Sequence, residues 1–166
     1  MKRGRLIRIS VLALLLLFAV AGVGNSASSG SQTITVAAAS AINITVAGSA
    51  AIGSTLPGVC GTTSTTVSVQ SNRPWNVQVR ANPTSNPTAK ARTGTTDMVN
   101  AFEYKLSTAG SYSTITTTYV NLYGSNQPRT PGSSSVSVGV DYQQCVDWGD
   151  DPGTYTITID LQGLTF

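Results

Sequence analysis

Apolar side chains recur at every second position along most of this chain, in short runs broken by Gly, Pro, Asn and Ser. Ile34 and Val36 share one parity, and Ile42, Ile44 and Val46 share the next. Val67 and Val69 follow, and then Trp75, Val77 and Val79 alternate with Asn76, Gln78 and Arg80. Phe102, Tyr104 and Leu106 alternate with Glu103 and Lys105, and a looser Thr/Tyr-rich stretch runs from Tyr112 to Tyr123. Val136, Val138, Val140 and Tyr142 oppose Ser135, Ser137 and Asp141; the last run sets Tyr155, Ile157, Ile159 and Leu161 against Thr154, Thr156, Thr158 and Asp160. A period of two marks strands with one face in a core and one in water, so the pattern predicts about eight strands. Breakers fall between them: SNRP at 71–74, NPTSNPT at 82–88, GSNQPRTPGSSS at 124–135 and DDPG at 150–153. With no helical period after the first 27 residues, the expected fold is all-β, an antiparallel β-sandwich of immunoglobulin-like or related topology. In the last run the apolar parity changes from odd, up to Leu161, to even at Leu164 and Phe166. That change predicts a β-bulge or a strand end at Gly163.

The amino-terminal residues follow a different pattern. Lys2, Arg3, Arg5 and Arg8 precede an unbroken apolar or small run from Val11 to Val23, and Gly24-Asn25-Ser26-Ala27 offers small side chains to a peptidase. This is the layout of a secretory signal peptide, and the run is shorter than the roughly 20 residues a membrane span needs. Residues 1–27 are therefore expected to be a signal peptide and 28–166 a single β-sandwich domain, placing the protein outside the cell or on its surface. The ten basic residues lose four with the signal, which leaves six against seven acidic ones, a net charge of −1. Such a chain lacks the electrostatic footprint of a nucleic-acid partner, and after cleavage it lacks a basis for membrane association.

Export also bears on the two cysteines. An oxidising compartment favours a Cys60–Cys145 disulfide, with two free thiols as the alternative; two cysteines alone are too few for a structural zinc site.

Chemistry has few candidates. The chain contains no histidine, which removes His-based triads, dyads and zinc centres, and its only glutamate, Glu103, sits on the outward parity of a strand. Asp147, Asp150 and Asp151 crowd around Trp148. Three carboxylates on one loop suit calcium, a hard cation that takes several oxygens, although the spacing departs from the D-x-[DN]-x-[DN]-G loop. The competing account is structural: Pro152 and Gly153 fit the central positions of a type II turn over Asp151–Thr154, and the aspartates accept nearby backbone N–H groups. Trp148 with Tyr142 and Tyr155 could form an aromatic platform for a sugar, whereas Trp75, following Arg73-Pro74 into a strand, has the position of a core aromatic. Asn43-Ile44-Thr45 is a formal glycosylation sequon inside a predicted strand.

Between Arg8 and Arg73 no Asp, Glu, Lys or Arg occurs, so the first 45 residues after the expected cleavage carry no charged side chain. Soluble proteins guard sheet edges with charge, proline or bulges, and the runs TITV and INITV have none of these. Either they are covered within their own sandwich or another molecule covers them. In donor-strand complementation an extended segment fills a strand position in a neighbour, and such head-to-tail contacts build filaments. Residues 28–40, with Ile34 and Val36 as knobs, are expected to be either that donor strand or an ordinary first strand.

SNRPWNVQV at 71–79 and DDPGTYTITIDL at 150–161 resemble the two ends of small secreted bacterial surface domains of the WxL type, and the closing strand of spore-coat-U-like pilus subunits. Trp75-Asn76-Val77 stands here as W-x-V, and Tyr155-Thr156-Ile157 replaces the second tryptophan motif. The resemblance implies a surface-displayed, non-catalytic β-domain. The expectation is thus an exported structural protein, a filament or pilus subunit that is its own partner. A module binding cell-wall polysaccharide through Trp148 and neighbouring tyrosines, with calcium at the aspartates, is the alternative.

Overall fold

The computed structural model describes residues 33–166, and within it Ala38–Phe166 form one compact unit. The expected signal peptide and residues 28–32 lie outside the described residues. Residues 33–41 belong to no strand, and Ile34 and Val36 are 76% and 84% exposed. The ordinary-first-strand expectation for this segment is therefore not met; the first strand begins at Ile42.

Ten strands follow in chain order: β1 (Ile42–Val46), β2 (Cys60–Ser71), β3 (Trp75–Ala81), β4 (Arg92–Thr93), β5 (Thr96–Asp97), β6 (Phe102–Leu106), β7 (Ser113–Thr114), β8 (Val120–Gln127), β9 (Val136–Cys145) and β10 (Ile159–Thr165). They form a five-stranded sheet in the order β1-β2-β9-β6-β7, a three-stranded sheet in the order β10-β3-β8 and the small hairpin β4-β5, and every pairing is antiparallel. The all-β sandwich expected from alternation is what forms. The count departs from the expected eight in three places: the Ile34–Val36 run forms no strand, the Tyr112–Tyr123 stretch gives both β7 and β8, and the short β4-β5 hairpin adds two strands whose residues carry no alternating apolar pattern.

The five-stranded sheet is organised on the pairing of β2 with β9, ten register pairs from Cys60↔Cys145 to Val69↔Val136. Alternation sends Val67 and Val69 of β2 and Val138, Val140 and Tyr142 of β9 inward. Facing them are Trp75, Val77, Val79 and Ala81 of β3 with Leu122 of β8. Each fully buried valine contributes about 1.5–3 kcal/mol relative to exposure. Trp75 is the core aromatic its position suggested: it is 1% exposed, stacks on Tyr123 at 5.9 Å between ring centroids, and donates its Nε1–H to the Pro128 carbonyl at 2.9 Å. The corner that carries the chain from β2 to β3 is locked by Ser71, whose Oγ donates to the Arg73 and Ala41 carbonyls, and whose backbone exchanges hydrogen bonds with Thr130.

The expected disulfide is present: Cys60 and Cys145 are bonded, directly opposite one another at the end of the β2-β9 ladder.

Three local expectations are overturned. The last strand begins at Ile159 rather than near Thr154, because residues 156–158 are diverted to another partner. Thr156 exchanges backbone hydrogen bonds with Arg92, Asn82 donates its backbone N–H to the Thr158 carbonyl, and the 1%-exposed Asn86 donates to the Thr156 carbonyl while accepting the Thr158 N–H. The bulge expected at Gly163 does not occur: β10 runs in unbroken register against β3 from Ile159↔Ala81 to Thr165↔Trp75. Gly163 instead faces β1, where a Cβ would lie 2.6 Å from Ile42 Cδ1 and 2.9 Å from Ile44 Cδ1. The close approach of the two sheets at this seam is what requires glycine. Leu164, on the other parity, turns away from it. Finally, Asp151–Thr154 is a bend rather than a type II turn, and Gly153 is not among the residues with positive φ.

Two predictions arise from these contacts. The disulfide closes a long loop, so replacing both cysteines by alanine is expected to lower stability by about 2–5 kcal/mol in a denaturant melt. Gly163→Val is expected to cost about 1–3 kcal/mol by overpacking. In a double-mutant cycle with Ile42→Ala the two losses should fall short of additive, because the smaller side chain leaves room for the larger one.

Candidate functional site

The edge of the five-stranded sheet is only half occupied. β1 pairs with the second half of β2, from Ile42↔Ser71 to Val46↔Val67, and Ala47 adds one bond to the Thr66 carbonyl. There the chain leaves the lane: the Gly48 N–H turns back to the Val46 carbonyl, with Gly48 at φ +66°, a conformation that L side chains rarely adopt. Among the described residues no strand lies beside Cys60–Thr65 on that side of β2. Ser49–Thr55 covers this stretch through side chains, with Ile52 and Thr55 against Gly61, yet among the described residues it makes no backbone hydrogen bond to another segment.

Beneath this open edge lies a cleft of about 980 Å³ between the sheets. Its walls come from Gly48–Thr55, from Thr63 and Thr65 of β2, Phe102 of β6, Tyr142 of β9, and from Ile157, Ile159 and Leu161 leading into and along β10. The seam between β1 and β10 is thus closed at Gly163 and open toward Ile157. The inward parity of β2 records the same division: Val67 and Val69 are completely buried, while Thr63 and Thr65 remain half-buried. Gln144 also lines the cleft. It is 6% exposed and donates its Nε2 to the Asn100 and Cys145 carbonyls, while its Oε1 has no partner among the described residues. A buried acceptor without a donor costs about 1–3 kcal/mol.

The acidic loop is a structural device. Asp150 accepts the Val99 N–H on one carboxylate oxygen and the Asp147 N–H on the other, both at 2.7 Å, and Asp147 accepts the Gly149 N–H at 2.9 Å. The turn therefore spans Asp147–Asp150, closed by the Asp150 N–H on the Asp147 carbonyl, instead of the expected Pro-Gly position. Asp147, Asp150 and Asp151 are the residues of the calcium expectation. Asp150 commits both carboxylate oxygens to amides and Asp147 one, Asp151 is exposed, and among the described residues no three His, Cys, Asp or Glu side chains gather as a metal site.

The aromatic platform is not assembled either. Trp148 is 84% exposed, Tyr142 is buried against Phe102 at 5.8 Å between centroids, and Tyr155 lies at the mouth of the cleft with its hydroxyl donating to the Asp151 carbonyl. The wall residues Ile157 and Ile159 and the orphaned acceptor of Gln144 were not singled out from sequence. The stretch GTTSTTVSV at 61–69 did carry a signal, a step from Thr to Val along one parity.

Asn43, within the sequon, is exposed on β1. Among the described residues no helix is long and apolar enough to cross a membrane, and the disulfide is compatible with an extracellular location. Comparison of the chain with protein-family models, with curated proteins and with solved structures finds no match.

Three ionisable groups are displaced from their ordinary values. Hydrogen bonds from Ser107 and Ser64, helped by Lys105, hold the Asp141 carboxyl below the usual carboxylate range. Burial raises the Tyr104 hydroxyl, and raises that of Tyr142 to about 12. The folded protein therefore keeps the Tyr142 proton after the unfolded chain has lost it, so stability is unaffected below pH 10 and falls as pH rises from 10 toward 12. Two units correspond to roughly 2–3 kcal/mol at the top of that window. Denaturant midpoints measured across it should decline more gently in Tyr142→Phe than in the parent protein, with the remaining slope carrying the contribution of Tyr104, which has the same sign.

Proposed function

We propose that this protein is a non-catalytic structural subunit of the cell surface, and that its copies join head to tail by donor-strand complementation. The open edge of β2 over the apolar cleft supports this reading: a strand position prepared on three sides, with hydrogen-bonding groups along Cys60–Thr65 and apolar walls below. The matching piece is the uncharged segment before β1, in which Ile34 and Val36 stand exposed two residues apart. Set on the open edge, this segment would run antiparallel to β2 and continue the lane of β1 in the same direction. Its alternate side chains would enter the cleft and its backbone would pair with β2.

The donor comes from a second copy. Ser40 bonds to Thr165, and Asn72 bonds to the Ala41 N–H and the Ala39 carbonyl, so the chain enters β1 beside the Ser71 corner. The cleft opens at the other end of the sandwich, beyond the far end of β1. Six residues separate Ile34 from Ser40, a span of at most about 20 Å, and β1 already fills the lane on that side. Ser49–Thr55, unbonded through its backbone, is the segment that gives way on insertion.

Electron microscopy of the processed protein should show filaments. The full chain carrying Ile34→Asp and Val36→Asp should remain folded by circular dichroism while losing assembly. Two side chains worth about 1.5–3 kcal/mol each imply a loss of association of roughly two orders of magnitude or more. Filaments of unchanged number and length from that variant would overturn the donor-strand reading.

A further inference from the structure

The two ends of the sandwich carry opposite charge, and we propose that they dock on one another, each copy setting its Ser71 end on the Cys60–Cys145 end of the next. The inference rests on the donor-strand reading and adds to it a second contact surface, with named residues, between successive copies.

The disulfide end is apolar and acidic. The Val59 N–H bonds back to the Leu56 carbonyl, Val59 and Val146 are joined through the Val146 N–H, and Trp148 follows two residues later in the same loop. Val99 lies against Gly149 and gives its N–H to Asp150. Four exposed large hydrophobic residues therefore gather around the disulfide: Leu56 at 75%, Val59 at 50%, Val99 at 49% and Trp148 at 84% exposure. A Trp and three aliphatic side chains at one end of a small domain are characteristic of a surface that another protein covers. Asp147, Asp150 and Asp151 belong to the same loops, opposed there by Lys90, whose Nζ is engaged with the Val99 carbonyl.

The opposite end is basic. Arg73 lies in the β2-β3 corner. Arg129 precedes Thr130, which bonds to Ser71; both arginines are exposed, and neither forms an ion pair among the described residues. Phe166, 59% exposed, is tied to this corner by its N–H on the Pro74 carbonyl. Residues 71–75, 127–135 and 163–166 contain no Asp or Glu.

Chain length then forces the ends together. With Val36 in a neighbour's cleft, Ser40 is four residues away and held at the basic end of its own copy, a separation of at most about 14 Å. The cleft mouth is flanked by the acidic loop, with Asp150 and Asp151 among its lining. Insertion therefore brings an arginine-bearing end against an aspartate-bearing one. Complementary charge of this kind acts chiefly on association rate and on the choice of partner.

The test uses the full chain and follows filament growth by light scattering and electron microscopy at low and high salt. Reversing one end in each of two variants, Asp151→Lys in one and Arg73→Glu with Arg129→Glu in the other, should slow growth of each variant alone by about tenfold at low salt and much less at high salt. Mixing the two should restore growth, because each then meets an opposite charge. Trp148→Ala should slow growth at both salt concentrations. Growth that ignores both charge reversals and the Trp148 change, while filaments still form, overturns the end-to-end contact and leaves the donor strand standing. A chain that stays monomeric under every condition overturns both.

Discussion

The antiparallel ladder of β2 with β9 is the constraint on which the rest of this molecule depends. It fixes which side chains of the two longest strands face inward, and so places Val67, Val69, Val138 and Val140 in the core. A one-residue slip would turn every one of them toward water. The register is held at one end by the Cys60–Cys145 bond and at the other by the buried corner around Ser71 and Thr130. Because β9 is paired on both sides, to β2 and β6, and β2 is paired over only part of its outer edge, the ladder also decides where the sheet is complete and where it is not.

The open part of that edge coincides with the part of the sandwich that is not closed. Gly163 lets β10 press onto Ile42 and Ile44, and the seam is tight there. Toward Ile157 the chain is drawn off to Asn86 and Arg92, and the two sheets part over a cleft. One end of the molecule is thereby a finished sandwich and the other an open one. The uncharged segment preceding β1 leaves from the finished end, and this polarity underlies the proposed assembly.

The sequence reveals the elements of this fold far better than their neighbours. Val136–Tyr142 and Trp75–Val79 read as strands because a half-buried strand imposes a period of two on its own residues, and each proved to be one. Tyr155-Thr156-Ile157 has the same period, yet the Thr156 backbone bonds go to Arg92 and Asn86, 64 and 70 residues earlier, and nothing in the local pattern distinguishes those partners from a sheet. Gly163 was conspicuous as a break in parity, but its cause is the approach of Ile42 and Ile44 from a distant strand. The Asp-Asp-Pro-Gly stretch advertised a turn through its Pro-Gly pair, whereas the carboxylate of Asp150 organises the turn just before it, using an amide at Val99. The exposed pair Ile34 and Val36 is evident in the sequence as uncharged alternation. The cleft is not, because its walls come from many separate runs and exist only once the sheets have been assembled.

The disulfide has a mechanical consequence. It lies at the end of β2 beside the open lane, so tension applied along that strand by anything seated there passes across a covalent bond into β9. Peeling of β2 from its neighbour cannot begin at that end. Under load the backbone ladder of β2 with β9 would have to shear as a unit, and in the proposed assembly the inserted strand would yield before the subunit that holds it.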